Sequence, residues 1–176
     1  MFTSRRCMNI RSCSVVLMVL VATPVAAGQA MDTEFFSVTL PSGWVVHKDP
    51  NGSVTATPSK TAEVPNLSVD SCNRRTQSNC PASCEPESLR PNFFYFFADQ
   101  PSAVYSEIPR TDGFRDIRAV GSLGEPSRWI AASVLCGPTG LVHIGSMSAQ
   151  SREQAVDLLQ KAVRSVRWQA VPATTK

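Results

Sequence analysis

Apolar and polar positions alternate over several short stretches, and the alternation predicts strands. Phe35-Phe36-Ser37-Val38-Thr39-Leu40 places β-formers at alternate positions and reads as a strand. Pro41-Ser42-Gly43 breaks it, and Trp44-Val45-Val46-His47 reads as the next. Asp49-Pro50-Asn51-Gly52 is a turn signal, because Pro fixes φ and Asn and Gly tolerate positive φ. Ser53–Thr57 then returns as a hairpin partner, and Asn66–Asp70 is a further strand. Phe114–Val120 alternates in part. Arg128–Cys136 and Leu141–Met147 flank Gly137-Pro138-Thr139-Gly140 and predict a central antiparallel hairpin. The period then changes. Ala155, Val156, Leu158, Leu159, Ala162, Val163 and Val166 mark one helical face, and Arg152, Glu153, Asp157, Lys161 and Arg164 occupy much of the other. Ser151 is the expected cap, with Gln154 completing a capping box. Trp168 is expected to seal the helix end against the sheet.

Two stretches break these patterns. Residues 71–92 are rich in Ser, Asn, Pro, Cys and charge, and they read as a long loop or insertion held by disulfides. Phe93-Phe94-Tyr95-Phe96-Phe97 follows, and five consecutive aromatics predict a buried strand or short helix. Residues 98–112 carry Pro101 and Pro109 with a short helical turn between them. The fold class expected is α+β: a single antiparallel sheet packed by a C-terminal amphipathic helix, with a disulfide-braced insertion.

The N-terminus reads as an address. Arg5, Arg6 and Arg11 precede an apolar stretch from Val15 to Val21, no acid occurs before Asp32, and small residues follow at Ala22, Ala26, Ala27, Gly28 and Ala30. This is the charged, apolar and small-residue order of a secretory signal peptide over residues 1–30. The apolar stretch is shorter than the roughly 20 residues a spanning helix needs. Cleavage after Ala27 and cleavage after Ala30 both fit. Residues 31–170 are expected to form one domain, with 171–176 a loose tail, and the mature form is expected not to span a membrane.

Export changes the composition. The chain has 176 residues, 43% hydrophobic and 18% charged, a size and balance that suit one folded domain. Its 17 Lys+Arg against 14 Asp+Glu give a formal charge of +3. The three leader arginines account for all of that excess, so the mature chain is formally neutral and nucleic acid loses its electrostatic warrant as a partner. Cys7 and Cys13 also leave with the leader. Cys72, Cys80, Cys84 and Cys136 remain, an even number in an exported chain, and two disulfides are expected. Three of these cysteines crowd one polar segment. One bridge should therefore tie that segment to itself, and the other should tie it to the run around Cys136. Metal is the competing reading, but three residues separate Cys80 from Cys84 and no His is near in sequence.

Catalytic patterns are sparse. His47 and His143 are the two histidines, and His143 alternates with Val142 and Ile144, which reads as a surface or edge position. Gly145-Ser146-Met147-Ser148-Ala149 lacks the second glycine of a nucleophile elbow. No His-Glu-x-x-His run is present, the cysteines are expected to be oxidised, and Glu85 and Glu87 read as solvated loop acids. The chain is therefore expected to be non-enzymatic, with no catalytic, metal-binding or cofactor-binding set.

The opening Phe36-Ser37-Val38-Thr39-Leu40-Pro41-Ser42-Gly43-Trp44, the consecutive hairpins and the closing helix ending Ser165-Val166-Arg167-Trp168 resemble the PsbP-like fold, which includes small DcrB-like bacterial envelope proteins. The resemblance implies an antiparallel sheet backed by helices and a role in binding proteins or assisting assemblies. The cysteine-rich insertion departs from that pattern. The expected function is protein binding in the periplasm or outside the cell. Arg74, Arg75, Glu85, Glu87 and Arg90 offer mixed charge for orienting a partner. The concrete reading is an immunity protein against a toxin delivered into the periplasm, for example by a type VI secretion system. A DcrB-like accessory role and a small periplasmic hydrolase are the alternatives.

Overall fold

The computed structural model describes residues 28–33, 35–50, 52–94, 97, 100, 103–124 and 128–169. Residues 1–27, most of the expected leader 1–30, and the tail 171–176 lie outside them. Ten strands and two helices follow in chain order: β1 (Gln29–Asp32), β2 (Phe36–Leu40), β3 (Val45–Lys48), β4 (Val54–Thr57), β5 (Asn66–Asn73), α1 (Pro86–Phe93), β6 (Val104–Ile108), β7 (Arg115–Leu123), β8 (Arg128–Gly137), β9 (Gly140–Ser148), α2 (Arg152–Ser165) and β10 (Arg167–Trp168).

Seven strands form one antiparallel sheet in the order β3-β4-β5-β9-β8-β7-β6. It is built from two meanders, β3-β4-β5 and β6-β7-β8-β9. Their ends meet where β5 pairs with β9, from Asn66 opposite Met147 to Asn73 opposite Gly140. The expected hairpin of β8 and β9 is present and lies at the centre. The chain leaves β5 in the middle of the sheet and must reach β6 at its far edge. Residues 74–103 make that crossing, and the sheet's own order requires it. The segment read from sequence as an insertion is therefore a crossover connection.

The expectation of a single sheet is corrected: a second, three-stranded sheet has the order β1-β2-β10. The cause lies in β2. Its hydrogen-bonding edges go to β1 and β10, while its alternate residues Phe36, Val38 and Leu40 are buried in a core shared with the large sheet. A strand saturated on both edges covers the large sheet by packing alone. The helical turn expected within 98–112 is also corrected, because Val104–Ile108 is the edge strand β6 and pairs with β7.

Period-two alternation sends the central strands' side chains to both faces. On one face Ala131, Leu135, Val142 and Ile144 meet β2 and the buried α2 residues Ala155, Leu159, Ala162 and Val163. On the other, Ile117, Ala119, Ala132, Val134, Cys136 and Leu141 meet Leu89, Phe94 and Phe97 of the crossover. The central strands are thus buried on both sides. This explains why Arg128–Gly137 is almost continuously apolar and buried from Ile130 onward.

The α2 cap forms as expected, with Ser151 Oγ accepting from the Gln154 amide at 3.1 Å. The return bond of the box is replaced. Ser148 Oγ accepts from the Ser151 amide at 3.3 Å and donates to the Gln154 side-chain oxygen. Trp168 closes the helix end: its ring stacks on Phe114 with centroids 3.8 Å apart. That stack needs glycine beneath it, since a Cβ on Gly137 would lie 1.9 Å from the Phe114 ring. Asp116 is buried on the same face, accepting from Ser133 Oγ at 2.7 Å and from the Arg118 guanidinium at 2.6 Å.

Two disulfides hold the crossover, Cys72–Cys80 and Cys84–Cys136. One is internal to the polar segment and one reaches β8, as the cysteine spacing predicts. Their sequence separations are 8 and 52 residues. Loop-closure entropy then sets their order: replacing Cys84 and Cys136 by Ala should cost about 1.5 kcal/mol more than replacing Cys72 and Cys80. Urea denaturation of the mature protein and both double variants measures this. Equal losses, or a larger loss from the short loop, would contradict it.

Candidate functional site

The crossover face carries the side chains that the sequence singled out, and the local chain explains their placement. At the end of β5, Asn73 Oδ1 accepts from the Arg75 amide at 2.9 Å, and Gln77 Oε1 accepts from the Asn73 amide at 2.8 Å. These bonds fold the chain back so that Cys72 meets Cys80. Arg74 then turns inward. Its guanidinium donates to the Pro81 carbonyl at 2.6 Å, to the Gly137 carbonyl, and to Cys136 Sγ at 3.1 Å. Arg74 is a peg between the crossover and β8 beside the Cys84–Cys136 bridge. Arg75 next to it is exposed.

The crossover continues into α1, whose first position is Pro86, where a missing N–H is no loss. Glu87 lies exposed in its first turn, where the helix dipole favours an acid. Glu85 and Arg90 reach toward β6 and β7. Arg115 on β7 donates to Glu85 at 2.9 Å and to Glu107 on β6 at 2.8 Å. The bond from Arg115 holds the Glu107 carboxyl below its ordinary range, and the two acids raise Arg115 in turn. The Arg90 guanidinium lies over the Tyr105 ring, 4.7 Å from its centroid. These pairs are exposed, so they add geometry more than stability.

Of the five expected contact residues, then, Glu85 and Arg90 converge with Tyr105, Glu107 and Arg115, and Glu87 lies on the same helix. Arg74 is committed to the scaffold, and Arg75 stands apart from that group. On the opposite face of β6 from this group, Val104 and Ile108 are 57% and 38% exposed. Among the described residues β6 pairs only with β7, so its outer edge presents backbone groups together with these two apolar side chains. The sequence carried a signal here, since Val, Tyr and Ile are strand formers, but the flanking prolines pointed to a turn.

The second feature is a buried pair. His143 is not at a surface or edge. It sits on the central strand β9 with its side chain 11% exposed, directly across from Asp70 on β5. Its Nδ1 lies 3.5 Å from Asp70 Oδ2, and the rings of Phe93 and Phe94 pack on it at centroid distances of 5.4 and 6.4 Å. Nε2 is buried without a hydrogen-bond partner among the described residues. The hydrogen bond from His143 holds Asp70 below its ordinary 3.8; burial opposes this, and a bond with Ser53 adds to it.

Two cavities flank this pair. One, of about 290 Å³, is polar and is lined by Ser53, Asp70, Ser71, Gln77, Asn79 and Phe93 among others. The other, of about 160 Å³, is largely apolar and includes Phe93, Phe97, Ile130, Ala132, His143 and Met147 in its wall. Gly145 keeps the second open, since a Cβ there would meet Ser68 Oγ at 2.7 Å. The Ser68 hydroxyl is turned to the Gly145 carbonyl at 3.4 Å, and among the described residues no hydroxyl is bonded to His143 Nε2. No cluster of His, Cys, Asp and Glu suited to a metal occurs among the described residues.

No protein-family model and no curated protein matches the chain. A crystal structure from Bacteroides thetaiotaomicron VPI-5482 is similar at a TM-score of 0.49 and 11% identity, over 82% of this chain and 49% of that one. The chain thus spans about half the length of that protein. Both disulfides fit an oxidising compartment. Among the described residues no helix is long and apolar enough to cross a membrane.

Because Asp70 is held low in the folded protein, its contribution to stability is complete above about pH 5 and is lost as pH falls through the folded value. Asp70→Asn should therefore flatten the acid limb of the stability curve. Urea midpoints across pH 2–7 check this; a parallel acid limb in the variant would contradict it.

Proposed function

We propose that the mature domain works outside the cytoplasm by binding another protein, and that it is not an enzyme. The observation that carries this reading is β6. Among the described residues it pairs only with β7; Val104 and Ile108 are exposed on one face of it, and Tyr105 and Glu107 on the other face meet α1 and the ion pairs at Glu85 and Arg115. A partner segment in extended form would add a strand to β6, with backbone bonds giving affinity and Val104 and Ile108 giving apolar contact. Glu87 and Arg90 on α1 would set its orientation. The neutral mature surface favours a partner chosen by shape and local charge.

The partner we propose is a toxin delivered into the periplasm, with this domain as the immunity protein that blocks it. The leader-like order of residues 1–30, the size of the domain and its disulfide-fastened surface support that reading. A DcrB-like accessory role would use the same edge for a component of an envelope assembly. Pull-down with the mature, oxidised protein from its own envelope, and growth with the toxin encoded beside its gene, separate the two.

Val104→Lys together with Ile108→Lys should weaken partner binding at least about 100-fold, roughly 2.7 kcal/mol, while barely changing stability at these exposed sites. The variant should also fail to protect cells from the toxin. Undiminished binding by the folded double variant would rule out the β6 surface. Full resistance of cells lacking the gene would rule out the immunity role.

A further inference from the structure

We propose that the crossover face holds a second, independent binding site, for a small organic ammonium ion carrying an aromatic or other compact apolar group. The two cavities beside the Asp70–His143 pair are complementary in kind and share Phe93 as a common wall. A ligand occupying both must be polar at one end and apolar at the other.

The apolar cavity fixes one end. Its volume is about 160 Å³, with Phe93, Phe97, Ile130, Ala132 and Met147 in its wall. Thr55, Asn66, Ser68 and Ser146 share that wall, and the space, open on one side, is of the size that holds a benzene-sized group, roughly 150 Å³. Gly145 preserves this space by omitting a side chain.

Asp70 fixes the charge at the other end. Its side chain is 39% exposed and lines the polar cavity, so it is open to a ligand as well as to His143. A carboxylate has about four acceptor positions. His143 and Ser53 engage Asp70, which leaves capacity for a cationic donor. Asn79 and Gln77 add neutral polar groups to the same wall, and no basic side chain lines it among the described residues. A cation there would also lie beside Phe93, whose face attracts positive charge. An anionic head would meet Asp70 unfavourably, which makes the sign of the ligand charge the discriminating property.

This site uses β5, β9 and the end of α1, while partner binding is assigned to β6. Either can fail without the other. The probe is 2-phenylethylammonium, compared with 3-phenylpropionate, which has a similar apolar group and the opposite charge. Binding to the mature protein is read by calorimetry and by the ¹³C-methyl signals of methionine. Met31 and Met147 are the methionines after residue 30, and only Met147 lines the cavity.

The expected result is a Kd below about 1 mM for the ammonium ion, at least tenfold weaker binding of the carboxylate, and a shift of the Met147 methyl with Met31 unmoved. Asp70→Asn, checked for folding by thermal melting, should bring the two ligands to similar affinity. Equal affinity of the wild-type protein for both, no binding of the ammonium ion, or an unmoved Met147 signal would overturn the proposal. A folded Asp70→Asn protein that keeps its preference for the cation would do so as well. The wild-type comparison decides by itself if the variant does not fold.

Discussion

The pairing of β5 with β9 is the contact on which the remaining architecture depends. It joins two meanders that are each local in sequence, and it runs the full length of β5. Once it forms, the chain between the meanders must cross one face of the sheet to reach the far edge. The same seam sets Asp70 opposite His143 and brings Cys72 to the end of β9, opposite Leu141. The cover, the buried pair and the position of the short disulfide all follow from one register. A slip of one residue would turn every side chain of β5 to the wrong face.

A sheet buried on both sides needs two covers, and this chain builds them by different means. On one face α2 is amphipathic, well capped and continuous, so apolar burial and local propensity suffice. On the other face the cover is short and irregular. α1 has eight residues, contains Pro91 and lacks a side-chain cap. A helix of that length has little stability alone. Leu89, Phe94 and Phe97 supply its apolar contact, and Cys84–Cys136 with the Arg74 peg fix it to β8. The two cavities beside the Asp70–His143 pair lie on this second side, under a cover pinned at few points.

The legible parts of the fold are those whose signals are local. The β8–β9 hairpin was visible in its turn residues, α2 in its period and in Ser151, and the end seal in Trp168. That one bridge lies within the polar segment and the other reaches β8 followed from three cysteines sharing one segment and the fourth lying in an apolar run; that Cys84 is the one that meets Cys136 did not. The parts that were not legible depend on contacts distant in the chain. Val104–Ile108 carries strand formers, but its strand state is secured by pairing with β7, and Pro101 and Pro109 obscured it. The separate sheet around β2 depends on β10, more than a hundred residues away. His143 looked peripheral because alternation alone cannot say whether the opposite face of a strand is solvent or a second core. Arg74 looked like a contact residue because a guanidinium's partners here are carbonyls and sulfurs that composition does not reveal.

The central claim is that residues 74–94 are a disulfide-fastened cover over a sheet whose strands are otherwise self-sufficient. Hydrogen–deuterium exchange of the mature protein, oxidised and reduced under native conditions, tests it most directly. Reduction should raise exchange in residues 74–94, while the amides of β8, β9 and α2 keep most of their protection. Unchanged protection of residues 74–94, or an equal loss across the whole chain, would contradict the account.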